Sequence, residues 1–348
     1  MRLDFSPSRG VNAIVGGNGQ GKTSLLESLY FVATSRSFRT DQVREVLAEK
    51  GEGASVRARL EDGVEAWEQS AGLGVSERVL AVNGVAPKTV ADFAIRTPVV
   101  VFHPGDLQLV TGSASARRRL LDRLALFAEP ASAVQRGRYA RAAKERQRIL
   151  CEKGVRAREL DGYEEVMAES GAELTGARMR AAVALGGKVV SGFGQIGEGR
   201  EEVETRYAAG GSGDPMVFVA ALQRARHVDA RRRSGSYGPH RDELEIRLGG
   251  RSVRKLASQG QRRLVALALK LGELECVREA RGRMPVLLLD DVWSELDAER
   301  EGAVRRYLLA VRGQVFVTGT REMIGDEATG GRRVEQWRMQ KGELVRGG

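Results

Sequence analysis

Cysteine is scarce in this chain: Cys151 and Cys276 are the only two among 348 residues. Two isolated cysteines make neither a disulfide framework nor a metal-ligand spacing, so each reads as a reduced thiol. Long apolar runs are missing as well. No stretch approaches the roughly 18 residues that a membrane span needs, and the N-terminus lacks a secretory core. No internal repeat or long low-complexity segment is found. These absences exclude a disulfide scaffold and a spanning segment, and predict a cytoplasmic protein with no membrane partner. What is abundant is positive charge. Lys and Arg exceed Asp and Glu by a net +10, which favours polyanionic partners because neutralised phosphates release counterions. The length predicts about two domains.

The densest motif lies near the start. Val11 to Val15 read as a short buried strand, and Gly16, Gly17, Asn18, Gly19, Gln20, Gly21, Lys22 and Thr23 fit G-x-x-x-x-G-K-[ST] at every fixed position. Glycines let successive backbone N–H groups wrap phosphates, and the following helix N-terminus adds favourable partial charge. Lys22 is expected to reach the β and γ phosphates and the Thr23 hydroxyl to ligate Mg²⁺. Ser24 completes this ATP-binding set. Leu25, Leu26, Leu29 and Tyr30 continue as a helical stripe, giving the strand, loop and helix context the motif requires.

Far down the chain, Pro285 opens the apolar run Val286 to Leu289, suited to a strand buried on both faces. It ends in Asp290 and Asp291. One carboxylate can hold the Mg²⁺ shell, and its neighbour can orient or deprotonate an attacking water. Lys22, Asp290 and Asp291 are thus the candidate catalytic residues, with Thr23 and Asp290 the metal ligands. Between the two halves, Ser258, Gln259, Gly260 and Gln261 precede Leu264, Leu267, Ala268 and Leu271 at helical spacing. Ser258 either caps a structural helix or, with Gly260, presents a second phosphate-seeking helix start to a partner subunit's nucleotide.

The sequence distance from Lys22 to Asp290 exceeds what a compact P-loop domain needs, so another unit is expected between them. Residues up to 104 are β-rich, with strands expected over 54–60, 75–82 and 98–102 and a turn at Asn83-Gly84. From Leu107 to Leu185 the period becomes helical, with one stripe at Leu120, Leu121, Leu124 and Phe127 and a looser one at Met167, Leu174, Ala181 and Leu185. Gly192 to Gly213 reads as turns and loops. Strand alternation returns at Glu243 to Leu248 before a Gly249-Gly250 turn. The expected fold is α/β: a P-loop ATPase lobe, split into 1–104 and 236–348, with a mainly helical lobe inserted over 105–235.

The ordered set of motifs resembles the RecF family of recombination mediators, ABC-type ATPases related to SMC and Rad50 proteins. The resemblance spans nearly the whole chain. It rests on Gly16 to Thr23 with Leu25-Leu26-Glu27, on Arg36-Ser37-Phe38-Arg39 and on Gly238-Pro239-His240-Arg241-Asp242. It continues through Ser258-Gln259-Gly260-Gln261-Arg262-Arg263 to Leu287-Leu288-Leu289-Asp290-Asp291-Val292 with Ser294-Glu295-Leu296-Asp297. It implies a Rad50/SMC-like head whose inserted lobe corresponds to a very short coiled-coil arm. Ser258 to Gln261 would be the signature motif acting in trans, and Ser294, Glu295, Leu296 and Asp297 the D-loop. It further implies an ATP-dependent homodimer that clamps duplex DNA near single-strand/double-strand junctions, works with RecR and RecO to load RecA, and hydrolyses ATP weakly under DNA stimulation.

Departures from the family pattern carry expectations too. The lead-in to Gly16 is short, which predicts a missing edge strand and fewer base contacts. Ser24 replaces a common Asn. Asp291 stands where relatives often use Glu, implying slow turnover. His103 falls where a Q-loop glutamine would be sought, and no glutamine is assigned.

For DNA, Arg117 and Arg118 open one helix, Arg138, Arg141, Lys144 and Arg148 share roughly one face of the next, and Arg231 and Arg232 form a third cluster. Each cluster is either a phosphate contact or a solvated face balanced by Asp122, Glu145 and Glu152. No base-reading motif is present, so recognition is expected to be of backbone and shape. His240 either contacts nucleotide or DNA, or holds its own turn. Two alternatives remain at this level: a transporter's nucleotide-binding subunit, and a nucleotide-binding scaffold that scarcely hydrolyses.

Overall fold

The computed structural model describes residues 3–40, 42–46, 53–74, 77–196, 201–293, 298–320 and 334–347. The chain forms two compact units, Met1–Leu107 with Gly192–Gly199 and Ala266–Gly348, and Gln108–Ser191 with Arg200–Val265. Strands are β1 Val11–Val15, β2 Gly53–Glu61, β3 Ala66–Gly74, β4 Arg78–Val82, β5 Val99–Phe102, β6 Val203–Ala208, β7 Glu243–Leu248, β8 Arg251–Ser252, β9 Val286–Leu289, β10 Val315–Gly319, β11 Val334–Gln340 and β12 Glu343–Arg346. Helices are α1 Lys22–Thr34, α2 Val90–Arg96, α3 Gln108–Thr111, α4 Ala114–Ala128, α5 Ser132–Glu152, α6 Glu159–Ile196, α7 Pro215–Arg232, α8 Val253–Leu256, α9 Gln259–Arg281 and α10 Ala298–Ala310.

In the first unit a six-stranded sheet has the order β12-β11-β1-β10-β9-β5. It is parallel except for β12, which returns antiparallel on β11. Strands covered on both faces must be apolar along their whole length, and β1 and β10 are buried at every position. Ile14, Leu26, Val99, Leu288, Phe316 and Met339 share one core cluster. Full burial of a side chain such as Leu26 contributes about 1.5–3 kcal/mol.

A second sheet, β2-β3-β4, is an antiparallel meander. Alternate residues of β3 point inward, and Ala71 and Leu73 pack with Phe31 and Phe93. Gln69 is the polar exception on that face. Its amide nitrogen donates to the carbonyls of Ala33 and Phe93, and its oxygen accepts from Thr97 at 2.5 Å. Asn83 and Gly84 adopt positive φ (51° and 77°), the conformation an Asn-Gly turn supplies at low steric cost. The strand expected over 75–82 begins at Arg78 among the described residues, and β3 precedes it.

In the second unit α4, α5, α6 and α7 accompany the antiparallel sheet β6-β7-β8. Tyr139, Met167, Leu174, Phe218 and Leu222 form its main cluster. Arg146, only 2% exposed, crosses this lobe: Nε donates to Glu164 (2.8 Å), Nη1 to Asp229 (2.7 Å) and Nη2 to the Leu222 carbonyl (2.8 Å). The loops expected over Gly192 to Gly213 are corrected by the structure: α6 runs on to Ile196, and Val203–Ala208 is the strand β6. Because β6 pairs with β7, this unit extends to Val265 rather than stopping at 235.

Candidate nucleotide site

The loop between β1 and α1 is shaped by its glycines. Gly19 and Gly21 have φ of 74° and 108°, a region costly for residues with a Cβ. A Cβ on Gly16 would collide with the Met339 carbonyl. Lys22 Nζ donates to the Gly16 and Gly17 carbonyls at 2.7 and 2.8 Å, holding the ammonium over the loop. Gln20 ties the loop to the C-terminal hairpin, its Oε1 accepting from Lys341 N (2.6 Å) and its carbonyl from Gly342 N (3.0 Å). A cleft of about 770 Å³ opens here, lined by Gly16, Gly17 and Gln20 on one side and Arg338, Gln340 and Lys341 on the other. Gly17, Asn18, Gly19 and Ser24 are exposed.

Strand order brings the second half of the site alongside. Asp290 N donates to the Phe102 carbonyl at 2.8 Å, fixing the carboxyl end of β9. Its Oδ1 accepts from Thr23 Oγ1 at 3.1 Å and from Thr318 Oγ1 at 2.9 Å. Thr318 Oγ1 also accepts from Asp291 N at 3.0 Å. Asp291 is exposed, with φ of 51° that turns the chain at the strand end. Thr318 belongs to none of the sequence motifs; its signal is the single hydroxyl near the end of the apolar run Val315 to Gly319. Hard oxygens at Thr23 and Asp290 suit Mg²⁺, which completes its shell with water and phosphate oxygens. The ammonium and glycine-shaped loop suit a polyphosphate, so MgATP fits the residues present.

Nearby motifs find physical roles. Glu27, buried in α1, accepts from Ser37 Oγ and from Arg39 Nη1 (3.3 Å), anchoring Arg36-Ser37-Phe38-Arg39. Phe38 packs edge-on against Tyr30 and tilted against His103. His103 sits in the turn after β5: its N–H donates to Asp106 Oδ2 and its Nδ1 accepts from Gly105 N.

In the other unit, Ser258 and Gln261 form a reciprocal capping box at the start of α9. Gln261 N donates to Ser258 Oγ (3.2 Å), and Ser258 N donates to Gln261 Oε1 (2.8 Å), satisfying two donors otherwise left open at a helix start. Gln261 Nε2 also donates to Glu201 at 2.7 Å. Ser258, Gln259 and Gln261 remain exposed or half-buried. Ser294, Glu295, Leu296 and Asp297 lie outside the described residues.

The expected DNA residues divide sharply. Arg117 requires correction: it is 4% exposed and donates to both oxygens of Glu243 (2.6 and 2.8 Å) and to the carbonyls of Leu109 and Gly112, so it is buried and paired within the protein rather than presented to DNA. Arg118 donates to the Asp242 carbonyl, and burial holds its guanidinium below its ordinary range. Arg138 pairs loosely with Glu169, and Arg148 is bracketed by Glu145 and Glu152. Arg141, Lys144, Arg231 and Arg232 are exposed. His240 holds its own turn: Nε2 donates to the Gly235 carbonyl (2.9 Å), and Nδ1 accepts from Tyr139 OH (2.7 Å).

A parallel sheet with a phosphate loop at one strand end, and a neighbouring aspartate bonded to the loop's threonine, defines a P-loop ATPase lobe. With its inserted lobe, it is of the kind seen in SMC and Rad50-like heads. The model of the RecF/RecN/SMC N-terminal domain matches residues 1–342. The DNA replication and repair protein RecF of Myxococcus xanthus (strain DK1622) is 36% identical over 331 residues, covering 92% of this chain and 87% of that protein. RecF of Symbiobacterium thermophilum is also 36% identical, with the same coverages. The solved structure of a recombination mediator protein RecF with ATP, described as in the RecFOR pathway, superposes with a TM-score of 0.88 at 28% identity, covering 99% of this chain and 93% of that one. An Smc head from Pyrococcus furiosus, at 16% identity and TM-score 0.53, shares the fold. The chain belongs to the RecF family.

Proposed function

We propose that this protein is an ATP-binding DNA-repair protein of the RecFOR type, a dimeric clamp on duplex DNA near single-strand gaps. The observation that carries the reading is the shared acceptor Asp290 Oδ1, which gathers Thr23 from the loop helix and Thr318 from β10 beside Lys22. MgATP would supply a transferable γ-phosphoryl group and a cation to neutralise it. Lys22 holds the β and γ phosphates, Thr23 and Asp290 the metal, and Asp291 orients the attacking water. Ser258 and Gly260, with the D-loop Ser294 to Asp297, complete the site of a second subunit. Closure brings basic surfaces onto DNA, and slow DNA-stimulated hydrolysis reopens the dimer. RecR and RecO are the expected partners in loading recombinase at single-strand/double-strand junctions.

The test is dimerisation and duplex binding measured together, with ATP, ADP and no nucleotide. Lys22→Met is expected to lose tight ATP binding. Ser258→Arg is expected to retain it while losing ATP-dependent dimerisation in the ultracentrifuge. Wild-type dimerisation in the Ser258→Arg protein would sink the trans-site assignment.

A further inference from the structure

The first unit carries a second cleft, of about 570 Å³, unconnected with the nucleotide loop by any lining residue. Its floor is apolar: Met284, Ala303, Val311 and the Tyr307 ring. Gly313 makes room for it, because a Cβ there would collide with Met284 Cγ. Ala303, Arg306 and Ala310 lie on one face of α10 at spacings of three and four residues, so Arg306 stands above the floor. Arg312 also lines the cleft.

Charge at the rim is lopsided. Arg278 is already paired with Glu275 at 2.7 Å, which uses the cleft's one acidic lining residue. Arg306 and Arg312 are exposed and have no ion-pair partner among the described residues. The acidic residue nearest on α10, Glu301, is held by Arg305 at 2.8 Å. Burial, reinforced by Glu275, pushes the Tyr307 hydroxyl up to about 12, so it stays a hydrogen-bond donor at neutral pH.

We infer that this cleft docks an acidic peptide segment of a partner protein, with one bulky apolar side chain in the pocket and flanking carboxylates on Arg306 and Arg312. The concave apolar floor suits a side chain better than a duplex backbone, which would leave Met284 and Val311 uncovered and meet Glu275. Desolvated aromatic or aliphatic anchors ringed by complementary charge are the usual source of affinity at such sites. The inference does not depend on nucleotide binding.

The experiment is fluorescence anisotropy on the full chain with a labelled peptide of consecutive aspartates followed by phenylalanine. Binding is expected to weaken about tenfold or more for Arg306→Glu with Arg312→Glu. It is expected to weaken similarly when the peptide's phenylalanine becomes alanine, and for Ala310→Trp, which fills the pocket without changing charge. Circular dichroism melts check that these surface variants fold. Duplex DNA affinity is read in parallel and is expected to be unchanged. Equal peptide affinity for the wild type and the double-Glu variant would overturn the assignment, as would failure of the peptide to bind at all. A matching loss of duplex affinity would assign the rim to nucleic acid instead.

Discussion

At the scale of single residues, Asp242 shows what the Gly-Pro-His-Arg-Asp motif is for. Its fully buried carboxylate accepts from Tyr207 OH (2.6 Å), Arg178 Nη1 (2.8 Å) and Gly210 N (2.8 Å). Removing it leaves the Tyr207 hydroxyl and Gly210 N without this acceptor and the buried Arg178 with Asp122 as its remaining ion-pair partner, so Asp242→Ala is expected to cost about 3 kcal/mol in urea denaturation. His240 gives a pH signature. Burial, with Arg241 and Arg118 nearby, holds its imidazole below the ordinary range. The unfolded chain then binds more protons than the folded one just below the ordinary pKa of about 6.5. Stability therefore rises with pH through that window and falls on acidification. His240→Gln is expected to flatten this part of the stability profile; an unchanged slope between neutral and mildly acidic pH would show that another group is responsible. The sequence marks the motif, but partners as remote as Tyr139 and Gly210 are set by tertiary packing, so its chemistry was not legible. Arg117 failed for the same reason: three consecutive arginines look alike until Glu243 is brought to one of them.

Among the elements, those read correctly are the ones whose environment leaves one solution. The doubly covered strands β1 and β9 must be continuous apolar runs, and the loop after β1 has fixed chemistry at fixed spacing. β6 escaped because only one face of its small sheet is buried and its sequence, Val-Glu-Thr-Arg-Tyr-Ala, sits among glycines. α7 carries its signal at its start: Asp214 caps it by accepting from Met216 N and Val217 N, and Pro215 occupies its first turn, as helix starts favour. For α5 the helix face can be tested directly. Arg141→Ala and Lys144→Ala are each expected to lower the slope of log affinity for duplex DNA against log salt by about one. Arg117→Ala, in α4, is expected to leave that slope alone and to lower the melting temperature instead.

For the whole molecule, the two-unit organisation was foreseeable from the separation of Lys22 and Asp290, while its return point was not. Helix α9 begins in one unit's residues and ends in the other's, and no local property of its sequence marks that passage. The same long separation governs assembly. β1 pairs on one side with β10 and on the other with β11, and Gln20 is held by Lys341. A ribosome makes the phosphate loop long before either of the strands that flank it. Contacts so distant in sequence form late, after the entropy of closing a very long loop has been met. Nascent chains arrested before Val315 should therefore be unable to retain ATP on a nucleotide-agarose resin, whereas released full-length chains should do so. A half-made chain carries every residue of the phosphate loop yet lacks the strands that complete it, so possession of the motif and competence to hold nucleotide are separated in time.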